Sequence, residues 1–198
     1  MPKAIDYYLS LNSPWTYLGS RRLEEMAARH GAEVRVKPID FSVIFPKTGG
    51  LPLPKRAPAR QAYRLTELER WRTHLQMPLN LHPAHFPAPE KLAAGVVIAA
   101  GDAGADALAL AHAILRAVWA EDGNIAEPET LGRIAEACGL ADLDLVAKAE
   151  TEIVVTKHGA LTEEALSRGV FGAPTYVYRD ELFWGQDRLA FLDRALAD

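Results

Sequence analysis

Asn12-Ser13-Pro14-Trp15-Thr16-Tyr17-Leu18-Gly19 decides how the rest of this chain is read. It follows Ile5-Asp6-Tyr7-Tyr8-Leu9-Ser10-Leu11, an alternating run that predicts a half-buried strand over about 4–11. It leads into residues that suit a helix as far as His30, closed by Gly31. Ser13 therefore stands where a strand ends and a helix begins. Pro14 fits the first helical position, because its missing N–H would have no intrahelical partner there. A helix start presents free N–H groups and a partial positive charge, a good place to hold an anion. Serine is also a preferred N-cap, so the residue alone leaves a capping role and a binding role both open.

Downstream, Glu33-Val34-Arg35-Val36-Lys37-Pro38-Ile39-Asp40 alternates and reads as a second strand. Strand, helix and strand with connections this short open a parallel α/β sheet. The pattern then changes. Residues 41–58 hold Pro46, Pro52, Pro54, Pro58 and Gly49-Gly50, and are expected to form a loop. Its cations, Lys47, Lys55 and Arg56, suggest a lid that brings positive charge to an acidic ligand. Residues 59–76 read as a helix. A second proline-rich loop covers 77–89 and contains His82-Pro83-Ala84-His85-Phe86. The proline between the histidines and the lack of a third ligand argue against a metal; His85 and Phe86 are better placed to line a pocket. Helices are expected at 90–100, 106–121 and 128–138, with a short one at 142–148. His112 reads as a core or boundary histidine. Residues 41–150 thus form a helical insertion between 1–40 and 151–198.

The last part begins with a helix near 150–168, interrupted at Gly159. Gly172-Ala173-Pro174-Thr175 follows, and Pro174 must enter the next strand at its start, since it cannot donate from a strand interior. Tyr176-Val177-Tyr178, a turn at Arg179-Asp180-Glu181 and Leu182-Phe183-Trp184 make a hairpin. Gly185-Gln186-Asp187-Arg188 leads into a final helix over 189–197.

Composition narrows the function. The 198 residues, 49% of them hydrophobic, can bury a sizeable core. With 22 Lys and Arg against 26 Asp and Glu, the net charge of −4 is not a nucleic-acid footprint. No run of apolar residues is long enough for a membrane span, and the start carries no apolar signal-peptide core, so a cytoplasmic protein is expected. One cysteine, Cys138, allows neither an intramolecular disulfide nor a thiolate metal cluster; it reads as a structural thiol near a helix end.

Strand–helix–strand, a helical block, then helix–hairpin–helix is the order of the thioredoxin superfamily. Ser13-Pro14-Trp15-Thr16 stands at the position of its Cys-x-x-Cys motif, and Gly172-Ala173-Pro174-Thr175 looks like its cis-proline loop. With Phe183-Trp184-Gly185-Gln186-Asp187-Arg188, the whole chain resembles the 2-hydroxychromene-2-carboxylate isomerases, relatives of kappa-class glutathione transferases and of disulfide oxidoreductases. The resemblance implies an α/β thioredoxin-like fold with a large helical insertion, glutathione as cofactor, a homodimer, and a small aromatic substrate. It implies Ser13 as the catalytic residue. It implies that Ala173 and Pro174 bind the tripeptide backbone. Trp184, Gly185, Gln186 and Asp187 would hold the γ-glutamyl end, Asp187 facing its ammonium. Trp15, Lys47, Pro54, Lys55, His85 and Phe86 fall at the substrate. Relatives often carry an Asn in the proline-rich loop, where this chain has Gly50, Leu51 and Pro52.

The chemistry follows from what has been replaced. Ser13 and Thr16 stand at both cysteine positions, so thiol–disulfide exchange has no thiol here. A hydroxyl at a helix N-terminus can instead stabilise a borrowed thiolate. The helix end offers about 0.3–1 kcal/mol, up to ~2 when partly buried. A hydrogen bond to a charged sulfur adds about 1.5–3. Since ~1.4 kcal/mol is one pKa unit, together they make the thiolate the main species near neutral pH. The family's reaction, on this reading, is reversible addition of the glutathione thiolate to a conjugated double bond, rotation and elimination, giving trans-o-hydroxybenzylidenepyruvate with glutathione regenerated. The substrate carboxylate needs a cation, for which Lys47, Lys55 and Arg60 are candidates. Two other functions fit the same residues: a kappa-like glutathione transferase that consumes glutathione, and a non-enzymatic thioredoxin-like module that binds extended peptides at Ala173-Pro174.

Overall fold

The computed structural model describes residues 2–198. Its centre is β1 (Ala4–Leu9), which pairs in parallel with β2 (Glu33–Pro38), Tyr7 lying opposite Val36. On its other side β1 pairs antiparallel with β3 (Thr175–Tyr178), Tyr7 opposite Tyr176, and β3 pairs antiparallel with β4 (Glu181–Trp184). The sheet is therefore mixed, ordered β2-β1-β3-β4. The hairpin between β3 and β4 turns on Arg179 and Asp180, both at positive φ, the geometry that matches strand twist in a two-residue turn. Glu181 belongs to the strand and not to the turn expected for it.

Between β1 and β2 runs α1 (Pro14–His30), bounded as its sequence requires. Ser13 is extended and caps it, Pro14 opens it, and Gly31 closes it at φ 58°. Its apolar face, Leu18, Leu23 and Met26, enters one core with Ile5, Tyr7 and Leu9 of β1. That core also takes in α9 (Leu189–Ala197), through Leu189, Leu192 and Leu196. It continues without a break into the helical block: α3 (Pro58–Leu75), α4 (Lys91–Asp102), α5 (Ala107–Ala120), α6 (Pro128–Ala137) and α7 (Leu145–Ala149), with Trp119 wholly buried at its heart. No strand is found within 41–150.

Three expectations are corrected. The strand 4–11 is shorter and is buried on both faces. Tyr8 enters a second core with Ile39, Ile44, Ala165, Val170 and Val177, because β1 is central and helices cover both sides. Residues 41–58 are not a loop. Phe41–Thr48 is a helix, α2, followed by one 3-10 turn at Leu53–Lys55. Asp40 caps α2 by accepting from Ser42 N at 2.8 Å, and Ile44 is driven into the second core. Pro46, near the end of this short helix, forgoes a single internal bond, which the buried face outweighs. Finally, α8 (Glu152–Ser167) runs unbroken through Gly159, because Val154, Thr162 and Ala165 on either side are buried. A helical glycine weakens the element by only about 1 kcal/mol relative to Ala.

Candidate functional site

The site forms where the start of α1 meets the turn before β3. Ser13 Oγ accepts from Thr16 N at 3.2 Å and lies 3.5 Å from the Ala173 carbonyl. The cap and the candidate binding group are thus the same atom, and its hydroxyl proton is held only by that long contact. The Tyr17 N–H closes the first turn onto Ser13 O at 3.1 Å, whereas the Trp15 N–H meets no backbone acceptor. The Thr16 hydroxyl is buried with no partner. No acidic residue stands in the first turn of α1, so the positive end of the helix is uncompensated there.

The peptide bond between Ala173 and Pro174 is cis. The Ala173 N–H makes no backbone bond, while Pro174 O accepts from Gly185 N at 2.9 Å. That bond brings 185–187 alongside the site. Gly185 sits at φ 107°, where a side chain would strain the backbone and meet Asp187 Oδ1. Gln186 is buried, and Arg22 of α1 donates to both its side-chain oxygen (2.8 Å) and its carbonyl (3.2 Å). Asp187 is half-exposed and pairs with Arg188 at 2.7 Å. Trp184 lies over Gly172, in edge contact with Phe171 at 4.6 Å between ring centres, and both aromatics are partly exposed. They form an apolar wall beside Ala173.

The opposite wall is tied to Asn12. Its side chain makes two bonds to one residue, Nδ2 to Ala88 O (2.7 Å) and Ala88 N to Oδ1 (3.1 Å). This ties the end of the 77–89 loop, at Ala88, to the residue before Ser13. Tyr17 donates to Pro78 O at 2.8 Å from the same helix. Glu90 is turned inward below, accepting from Ser10 Oγ (2.9 Å) and Asn12 N (3.0 Å). Burial pushes its carboxyl up despite those bonds, so a proton stays on it more readily, close to the uncompensated start of α1. His112 is structural: its Nδ1 is 2.6 Å from Ser20 Oγ, its ring stacks on Tyr17, and burial holds its pKa down. Cys138 ends α6, half-buried, its thiol pushed up by burial.

The structure therefore gathers Ser13, Ala173, Pro174, Trp184, Gly185 and Gln186, and Asn12 ties to them the loop that carries Phe86. Trp15 is half-buried on the main core. His85 is exposed. Lys47 is exposed at the end of α2 and pairs with Glu163 of α8 at 3.2 Å. Pro54 and Lys55 are exposed on the 3-10 turn before α3, and Arg60 on α3 itself. Sequence reasoning missed Asn12, Glu90 and Arg22, which hold the segments of the candidate site, and Arg64 of α3, half-buried against Phe86 and Trp119. Asn12 and Glu90 act through bonds across 76–80 positions, which no periodicity signals. Arg56, Arg60 and Arg64 did carry a signal: cations four apart with no acid before Glu67.

Against known proteins, a DSBA-like thioredoxin domain model matches residues 4–197. The chain is 30% identical to a 2-hydroxychromene-2-carboxylate isomerase of Sphingobium xenophagum over the full length of both. It is 24% identical to glutathione S-transferase kappa 1 of Rattus norvegicus, covering all of this chain and 92% of that one. A solved 2-hydroxychromene-2-carboxylate isomerase superposes with a TM-score of 0.83 at 26% identity, over 98% of this chain and 94% of the other.

Proposed function

The chain belongs to the 2-hydroxychromene-2-carboxylate isomerase family of DSBA-like thioredoxin domains, and on that premise we propose that it is a glutathione-dependent cis–trans isomerase of a conjugated aromatic acid. 2-Hydroxychromene-2-carboxylate, or a related intermediate of aromatic catabolism, is the substrate on this reading. The carrying observation is Ser13 Oγ, at an uncompensated helix N-terminus and 3.5 Å from Ala173 O, in a chain whose one cysteine lies elsewhere.

The residues fit a tripeptide thiol. An unbonded N–H on Ala173 and a carbonyl held only by the long Ser13 contact offer the edge along which an extended peptide pairs. The half-exposed Asp187 carboxylate suits an ammonium. The Ser13 hydroxyl and Trp15 N–H suit a sulfur anion. Glutathione held by these residues would supply a nucleophilic thiol, the chemistry that reversible addition to a conjugated double bond requires. Ser13 lowers the thiol's pKa by donating its hydroxyl proton, and the α1 terminus adds its field. Arg22 fixes Gln186 and, with it, the 185–187 segment. Phe86 and Trp184 wall the substrate's ring and limit water.

Ser13→Ala removes the donor and leaves α1 its other first-turn bonds. Turnover of 2-hydroxychromene-2-carboxylate should fall at least tenfold with an unchanged circular dichroism spectrum. Turnover equal to wild type would take Ser13 out of the reaction. Counting product per glutathione supplied separates isomerase from transferase: many turnovers per glutathione support the proposal, and one product per glutathione consumed would replace it with conjugation.

A further inference from the structure

The helical block holds an arginine whose charge nothing answers. Arg64 of α3 is half-buried, its guanidinium carbon 5.3 Å from the Phe86 ring centre and 5.6 Å from that of Trp119. The two rings are themselves 4.7 Å apart. Among the described residues, no carboxylate lies within 4.0 Å of Arg64 and no hydrogen bond from it is formed. Its neighbour Arg56 adds like charge. Other arginines that approach the core are engaged: Arg22 on Gln186, Arg72 on Leu79 O and Glu69, Arg168 on Asp6 and Asp180.

A guanidinium offers five donors in a planar fork. Rings below it satisfy its face and leave those donors open. Burial and the Arg56 charge bring its pKa down to about 10, so it stays cationic at neutral pH while bearing a desolvation penalty that an anion would relieve. Its position gives the anion an owner. Phe86, on which it rests, stands two residues before Ala88, which Asn12 clamps beside Ser13. Lys55 and Arg60 are exposed, and Lys47 pairs with Glu163. A charge removed from water discriminates between an acid and its ester far better than one in solvent.

We propose that Arg64, seated on Phe86 and Trp119, receives the carboxylate of the aromatic substrate, with Phe86 contacting the substrate's ring. The proposal rests on the isomerase reading for the identity of the carboxylate's owner. Glutathione also carries carboxylates, so the test separates the two sources.

The probe is trans-benzylidenepyruvate, a conjugated aryl 2-oxo acid without the hydroxyl that closes the chromene ring, together with its methyl ester and glutathione. Each is titrated calorimetrically into wild type, Arg64→Met and Arg64→Lys. Wild type should bind the acid at least tenfold tighter than the ester. Arg64→Met should lose that preference and bind the acid at least tenfold more weakly, with glutathione affinity within twofold of wild type. Arg64→Lys should recover part of the preference. The Tm of Arg64→Met should not fall, since an unpaired charge has been removed. A preference kept in Arg64→Met, or absent from wild type, overturns the proposal. So does a loss of glutathione affinity with the acid unaffected, which would hand Arg64 to the tripeptide. A lower Tm with all ligands weakened alike would make Arg64 structural. Failure of the isomerase reading looks different: wild type discriminates acid from ester and Arg64→Met does not, yet wild type with glutathione leaves the chromene unconverted.

Discussion

Gly19 lies where α1 passes closest to the turn after β4. A methyl group there would come within 2.8 Å of Tyr176 Oη and 2.9 Å of Gln186 Cβ, both buried and unable to retreat. Overpacking of this kind costs about 1–3 kcal/mol, against ~1 kcal/mol gained by replacing a helical glycine with alanine. Gly19→Ala is therefore expected to be destabilising by up to about 2 kcal/mol net, with Tm lower by up to about 8 °C for a domain this size. Because Gln186 must shift, glutathione affinity measured by calorimetry should drop as well. A Tm above wild type would mean that the contact relaxes freely and that Gly19 does not set the spacing of the site. The same reasoning separates Ser13 from its neighbours. Its half-buried hydroxyl can redirect its proton to a ligand, whereas the Thr16 hydroxyl, also uncommitted, is wholly enclosed and out of a ligand's reach.

Elements are held to one another by a few bonds whose loss is local. Asn12 joins the end of β1 to the 77–89 loop through Ala88, a buried residue. Asn12→Ala leaves the Ala88 N–H and C=O both unpaired, a loss of about 2–4 kcal/mol at roughly 1–2 per group. Hydrogen exchange should then quicken at the Ala88 amide and along the loop, with β1 and β3 amides protected as before. Uniform quickening across the sheet would show that the clamp serves the whole fold and not the loop. This division also explains what could be read from the chain. The bounds of α1 were legible because Ser13, Pro14 and Gly31 are local signals. The hairpin was legible through the strand formers on either side of its turn, whereas Pro174 alone reads as an ordinary turn proline and its cis form was reached only through the family resemblance. α2 was hidden because four prolines and a Gly pair over 41–58 outweigh, locally, a cap at Asp40 and one buried face at Ile44. Gly159 misled in the opposite sense, since packing on both sides of α8 overrides its propensity. Ser13, Ala173 and Pro174 were found through motif position, but the Arg64–Phe86–Trp119 stack joins three segments whose approach only the folded chain reveals.

Across the molecule, two sets of carboxylates set opposite slopes of stability with pH. On the α8 face of the sheet, Asp6 lies 2.9 Å from Lys37 Nζ and is bonded by Arg168; Glu164 accepts from Lys37 and Tyr8, both at 2.7 Å. Burial raises both carboxyls, but the bonds and charges of Lys37, with Arg168 acting on Asp6 and Tyr8 on Glu164, outweigh it and hold them below the ordinary range. A depressed native pKa gives stability that is present above the unfolded value, ~4, and is lost as pH falls through the native one. Glu90 has the reverse sign. Burial raises its native pKa, so ionising it opposes folding once pH climbs past the unfolded ~4.3. Asp6→Asn strands Lys37 and Arg168 partly buried; breaking such a pair costs about 3–5 kcal/mol when fully enclosed. We expect about 1–3 here, since Glu164 and Asp180 remain as partners and Arg168 keeps contact with water. Its Tm should fall near pH 7, with the difference from wild type shrinking as pH drops below 4. Glu90→Gln keeps an acceptor for the Asn12 N–H and removes the ionisation. Its Tm relative to wild type should therefore grow more favourable between pH 4 and pH 8. Differential scanning fluorimetry of the three proteins over pH 3–8 reads both slopes. A Glu90→Gln difference that is flat across that range would mean the carboxyl ionises as easily in the folded protein as in the unfolded chain. The ground beneath Ser13 would then carry a full negative charge, and the hydroxyl and helix end would have to hold a thiolate against it.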